Sequence, residues 1–139
     1  MENQKLQFSI HEYNKRIIKI CTDMYDLTGN KNYTRFRELL QSEIESGNPA
    51  LYLFKHLEHV DDSITSRILD QNDITFFDDS TLQHEKVSSE LIDELRSSWT
   101  ILNQENKQNI FKCIQNTLKI ARFVHQNQDC YDDLLRLCL

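Results

Sequence analysis

Residues 6–27, LQFSIHEYNKRIIKICTDMYDL, carry an apolar side chain alternately every four and every three residues. This spacing places the apolar side chains on one face of an α-helix, in the register of a heptad repeat. The seam consists of Leu6, Ile10, Tyr13, Ile17, Ile20, Met24 and Leu27. Gly29 follows two residues later and is a typical helix stop. We therefore predict a long first helix whose seam packs inside its own domain or, alternatively, against a second copy or a partner helix.

Glycine and proline are scarce in the chain. Its 139 residues include two glycines and one proline, whereas average usage is about 7% and 5%. A β-rich fold needs many tight turns with glycine or asparagine at positive φ, and an α/β fold needs glycine-rich junctions between strands and helices. We therefore predict an all-α fold, with residues 1–139 forming a single-domain bundle of five to seven helices.

Turn and cap residues indicate where the later helices begin. The second helix is expected at about 32–45, with Asn32 among its candidate caps. Further helices are expected to begin near Pro49, Asp61, Ser88, Asn103 and Asn127. Phe111, Ile120 and Phe123 widen the apolar face of the sixth helix, so we expect this helix to be buried nearly all round.

Residues 70–86 break the helical period and form a long acidic loop. Loops of this length are uncommon in compact domains and often have a function. Phe76 and Phe77 are predicted to plug the loop onto the bundle or, alternatively, to serve as exposed aromatic anchors for a partner. The candidate partner-binding residues are Asp73, Phe76, Phe77, Asp78 and Asp79.

Charge is unevenly distributed along the chain, whose formal net charge is −6. Residues 41–100 hold four basic and thirteen acidic residues, whereas the segments before and after them are close to neutral. An acidic chain is a poor direct binder of nucleic acid, because phosphates must be neutralised by a basic face. The acidic middle predicts one negative face, which is a solvated surface, a docking site for a basic partner, or a mimic of nucleic acid.

Motifs that carry chemistry are absent from the sequence. Two glycines cannot build a glycine-rich phosphate loop, and there is no Gly-x-Ser-x-Gly elbow. The four cysteines show no Cys-x-x-Cys spacing and are expected to be buried and reduced. They are Cys21, Cys113, Cys130 and Cys138. We therefore predict no catalytic residue and no cofactor, because the side chains serve to hold helices together.

One pair of histidines has a spacing that metal ligands also use. His56 and His59 lie three residues apart on the predicted third helix, and a third ligand such as His84 would be needed to complete a zinc site. No second pair of ligands accompanies them, so two ordinary surface histidines are the simpler interpretation. We predict no metal site.

The sequence gives no sign of a membrane or secretory protein. No stretch approaches 18 consecutive apolar residues, which a membrane-spanning helix needs. The first residues lack the basic and then apolar plan of a secretory signal. We therefore expect an intracellular protein without membrane contact.

Two stretches resemble a known group of proteins. They are RILDQNDITFFD at residues 67–78 and WTILNQENKQNIFKCIQNTL at residues 99–118. Over residues 67–122 the chain is similar to small helical proteins of nucleocytoplasmic large DNA viruses. It differs at Phe111, where tryptophan is commoner, and at Cys113, where tyrosine is commoner. The resemblance implies a viral protein in the host cytoplasm or the virion, and it assigns no catalytic residues.

These observations predict a protein that acts through its surface. The leading hypothesis is a non-enzymatic structural or adaptor protein, a viral component that contacts a protein partner or forms a homo-oligomer. Its candidate contact surfaces are the seam of the first helix and the acidic loop. The alternative is an acidic regulator or inhibitor that occupies a basic surface of a nucleic-acid-binding or host defence protein.

Overall fold

Helices account for nearly all of the structure. The computed structural model describes residues 3–78 and 90–139 of the chain, and no strand occurs within these ranges. The helices are α1 (Gln4–Thr28), α2 (Lys31–Glu45), α3 (Leu51–His59), α4 (Asp62–Leu69), α5 (Glu90–Ser98), α6 (Gln104–Gln126) and α7 (Gln128–Cys138). Short 3₁₀ turns occupy Ile74–Asp78 and Trp99–Ile101. The predicted all-α helical bundle is confirmed.

Asparagine side chains start most of the long helices. Four asparagine side chains each accept a hydrogen bond from a backbone N–H of the helix that follows. They are Asn3, Asn30, Asn103 and Asn127. Such a cap satisfies one of the donors that have no partner in the first turn of a helix. Asn30 therefore caps α2, which begins slightly earlier than predicted, and Asn32 lies inside the helix.

The seam of the first helix faces the interior of the bundle. Leu6, Ile10, Tyr13, Ile20 and Met24 are all at most 4% exposed, and α1 packs chiefly against α2 and α6. The predicted packing of the seam inside its own domain is confirmed. The alternative, in which the seam pairs with a second copy or a partner helix, is wrong because five of its seven side chains are already buried; Leu27, at the end of the seam, is 39% exposed.

Two clusters of buried side chains share α1 and α6. One cluster surrounds Trp99 and includes the C-terminal half of α1, whereas the other surrounds Leu53 and includes the N-terminal half of α1. Ile17 packs against both clusters and links them. The outer face of α6 is more open than predicted, because Phe123 is 44% exposed. The neighbouring helices cover α6 only on the side that carries Ile110 and Leu118.

None of the described helices combines the length and the apolar character that a membrane crossing requires.

The predicted loop at 70–86 is described only as far as residue 78, where the chain forms the 3₁₀ turn rather than an irregular loop. Asp79, Ser88 and the remainder of the predicted loop lie outside the described residues.

Candidate functional site

Phe76 and Phe77 lie in the core. The Phe77 ring stacks on Trp99 with a centroid distance of 4.6 Å, and it meets Phe111 edge-on at 6.3 Å. Phe76 contacts Phe77 edge-on at 4.9 Å, and both are at most 3% exposed. The pair therefore holds the 3₁₀ turn onto the bundle. The hypothesis of an exposed aromatic anchor is wrong, since Trp99 and Phe111 enclose the ring of Phe77.

Asp73 and Asp78 flank this buried pair and tie the same segment down. Asp73 accepts a hydrogen bond from the backbone N–H of Thr75 and pairs with Arg67 at 2.6 Å. The hydroxyl of Thr75 also donates to Asp73. This hydrogen bond and then that of Arg67 are the main causes that lower the pKa of Asp73. Asp78 lies 3.7 Å from Lys107 at the start of α6. Both carboxylates therefore have structural partners within the chain.

A cleft of about 430 Å³ opens between α6 and the α3–α4 pair. Its floor is apolar, and its walls carry several polar and ionisable side chains. The lining residues are His56, Leu57, Val60, Asp62, Thr65, Ser66, Asp70, Leu118, Ala121, Arg122, His125 and Gln126. The sequence did not predict this convergence of ionisable groups. Because Asp62 and Asp70 are exposed, the cleft is open to water at its rim.

His56 is half-buried at the wall of this cleft, whereas His59 is exposed. Burial lowers the pKa of His56 to about 4, so its ring is neutral near neutral pH. The interpretation of two surface histidines is therefore wrong for His56. The signal in the sequence is its spacing from Leu53, because residues three apart on a helix share a face and Leu53 is fully buried.

A hydrogen bond to Tyr13 determines which nitrogen of the His56 ring carries the proton. The Tyr13 hydroxyl lies 3.1 Å from Nδ1 of His56, and Tyr13 is only 4% exposed. A buried hydroxyl needs an acceptor for its hydrogen, and Nδ1 is the acceptor that it contacts. We assign Tyr13 as the donor, which leaves Nδ1 without a proton. The proton of the neutral ring is then on Nε2, which has no hydrogen-bond partner among the described residues.

Arg122 and Asp70 form a bridge from α6 to the end of α4. Two guanidinium nitrogens of Arg122 donate to the two carboxylate oxygens of Asp70, at 2.7 and 3.0 Å. This pairing lowers the pKa of Asp70 and raises that of Arg122. Asp62 adds a further negative charge to the cleft; it makes no ion pair within the described part of the chain, but at longer range it contributes to the raised pKa of Arg122. The charged groups of the cleft therefore have an excess of one carboxylate.

No group of three metal-ligating side chains converges within residues 3–78 and 90–139. His84, the predicted third ligand, lies outside these residues.

No protein-family model matches the chain, and the searches of curated proteins and of solved structures found no match either. The function is therefore inferred from the chain's own residues.

Proposed function

We propose that this protein is a non-enzymatic adaptor that contacts a protein partner through an acidic face. The acidic face consists of Glu58, Asp61, Asp62 and Asp70, at the end of α3 and along α4, and all four residues are exposed. The single observation that carries the proposal is the exposure of the Glu58 and Asp62 carboxylates, which have no ion pair among the described residues; Asp62 also lines the cleft. Unpaired charges of one sign attract and orient a partner of opposite charge.

Several other ionisable side chains form ion pairs that hold the fold together, and this structural use supports a role without catalysis. Arg67 pairs with Asp73, Lys107 with Asp78, and Arg122 with Asp70, so each pair joins two segments of the chain. These contacts hold the acidic side of the bundle in place. Rigid presentation lowers the entropy lost when a surface binds its partner.

A second candidate function is inhibition of a nucleic-acid-binding or host defence protein by occupation of its basic surface. The concentration of acidic residues in 41–100 supports it, because such a surface resembles the charge of a nucleic acid. A viral origin, with action inside the host cell or in the virion, is proposed from the resemblance of residues 67–122.

Capture of partners from the native cell tests the adaptor proposal. The bait proteins are the wild type, the double variant Glu58→Gln/Asp62→Asn, and the control Asp26→Asn/Glu38→Gln. Asp26 and Glu38 are exposed on α1 and α2, so the two variants lose the same charge from different surfaces. We expect a protein that wild type and control retain equally and that the variant of the acidic face loses. Equal retention by all three baits would contradict the proposal.

Two further measurements separate the candidate functions. Competition by DNA or RNA for the captured partner favours the inhibitor, whereas insensitivity to nucleic acid favours the adaptor. Light scattering of the purified protein tests whether a second copy of the chain is itself the partner.

A further inference from the structure

We infer that the cleft between α6 and the α3–α4 pair receives the side chain of an arginine from the partner protein. This inference rests on the proposed function and names the group that the acidic face recognises. Arginine joins a planar cation to an apolar stem, and the cleft offers surfaces for both parts.

The floor of the cleft suits the apolar stem. Leu57, Val60, Leu118 and Ala121 line it, and Leu118 and Ala121 belong to the core beneath. A volume of about 430 Å³ is within the range of ligand-binding pockets and exceeds that of one side chain. The cleft therefore has room for the arginine stem and for part of the partner's backbone.

The charges of the cleft suit a guanidinium group. Asp70 already holds the guanidinium of Arg122 through two hydrogen bonds, so Arg122 is largely neutralised within its own chain. Asp62 is the additional carboxylate, and it is exposed at the same rim. Because the half-buried ring of His56 is neutral near neutral pH, it does not oppose a second cation. An arginine that enters along the floor would meet Asp62 with its charged end.

The walls of the cleft supply hydrogen-bonding groups for the partner's backbone. His56 is among the lining residues, and its Nε2 carries the ring proton when Tyr13 donates to Nδ1, so this nitrogen acts as a hydrogen-bond donor. A donor suits a backbone carbonyl and does not suit a cation. Thr65 and Gln126 add further polar groups to the lining. We therefore assign Asp62 to the guanidinium and His56 to a carbonyl next to it.

Titration with two small probes tests this inference on the intact chain. Nα-acetyl-L-arginine amide is compared with Nα-acetyl-L-citrulline amide, which has the same shape without the charge, by two-dimensional ¹H–¹⁵N NMR near neutral pH. We expect saturable shifts of amide signals that cluster at Asp62, Thr65, Ser66 and Arg122. The citrulline probe should bind about fivefold more weakly, as expected when one partly exposed ion pair is lost.

The variant Asp62→Asn should weaken binding of the arginine probe to the level of citrulline, and Asp26→Asn should leave it unchanged. A thermal melt by circular dichroism confirms that each variant is folded. Equal shifts by the two probes, full binding by Asp62→Asn, or shifts away from the cleft would each overturn the inference. If the probe fails but partner capture still depends on Glu58 and Asp62, the arginine assignment is wrong and the adaptor proposal stands. Probe binding without such capture would instead contradict the adaptor proposal.

Discussion

Burial of His56 makes the stability of the protein depend on pH. Its pKa is about 4 in the folded chain, against about 6.5 for an unperturbed histidine. Between these values the unfolded chain binds a proton on His56 and the folded chain does not. The contribution of His56 to the free energy of unfolding is therefore fully present above about pH 6.5, and it is lost as the pH decreases towards 4. At about 1.4 kcal/mol per pKa unit, the loss has an upper bound of about 3.5 kcal/mol, of which about 3 kcal/mol is lost by pH 4.

Urea denaturation between about pH 7 and about pH 4 measures this loss. Carboxylates also titrate in this range, so the informative quantity is the difference in unfolding free energy between wild type and variant at each pH. His56→Gln retains an acceptor for the Tyr13 hydroxyl but cannot take up a proton. His59→Gln is the matched control, since His59 is exposed one turn away on the same helix.

We expect wild type and His59→Gln to lose stability in parallel as the pH falls. The His56→Gln variant should lose less, and its difference from wild type should change by up to about 3 kcal/mol across the range. A difference that stays constant with pH would refute the lowered pKa of His56.

The remaining predictions concern the packing of the core and the caps of the helices. Trp99→Ala removes a fully buried ring that stacks on Phe77, so it should cost about 3–5 kcal/mol in a denaturant titration. Trp99→Phe should cost clearly less, because Nε1 of Trp99 makes no hydrogen bond within the described part of the chain. An unchanged melting temperature for Trp99→Ala would contradict this assignment. Asn103→Ala removes the cap of α6 and should cost about 1 kcal/mol, whereas Asn109→Ala, exposed within the same helix, should not destabilise it. Tyr13→Phe should cost about 1 kcal/mol at neutral pH, because it removes the buried hydrogen bond to His56; a larger loss would indicate a rearranged helix interface.

The parts of the fold that depend on local sequence could be predicted. The seam of α1 repeats every three and four residues, and Gly29 ends the helix in the left-handed conformation with φ 68°. Asn103 and Asn127 act as caps by accepting hydrogen bonds from residues three positions later in the chain, Asn106 and Cys130. These contacts need no knowledge of distant segments, since each is made within a single turn of helix.

The features that depend on distant partners could not be predicted. Whether Phe77 is buried or exposed depends on Trp99 and Phe111, which are far along the chain. The ion pair of Lys107 with Asp78 likewise joins α6 to the 3₁₀ turn, which is distant in the chain. The cleft likewise exists only because α4 packs beside α6, which brings Asp70 to Arg122.

The most direct test of the acidic face is the affinity for the captured partner, measured by isothermal titration calorimetry at several salt concentrations. For wild type and for Asp26→Asn/Glu38→Gln, we predict that binding weakens as salt rises from about 50 to about 300 mM, because salt screens exposed charges. The Glu58→Gln/Asp62→Asn variant should bind more weakly at low salt and depend less on salt. Identical affinities and salt dependences for all three proteins would contradict a role of the acidic face in binding.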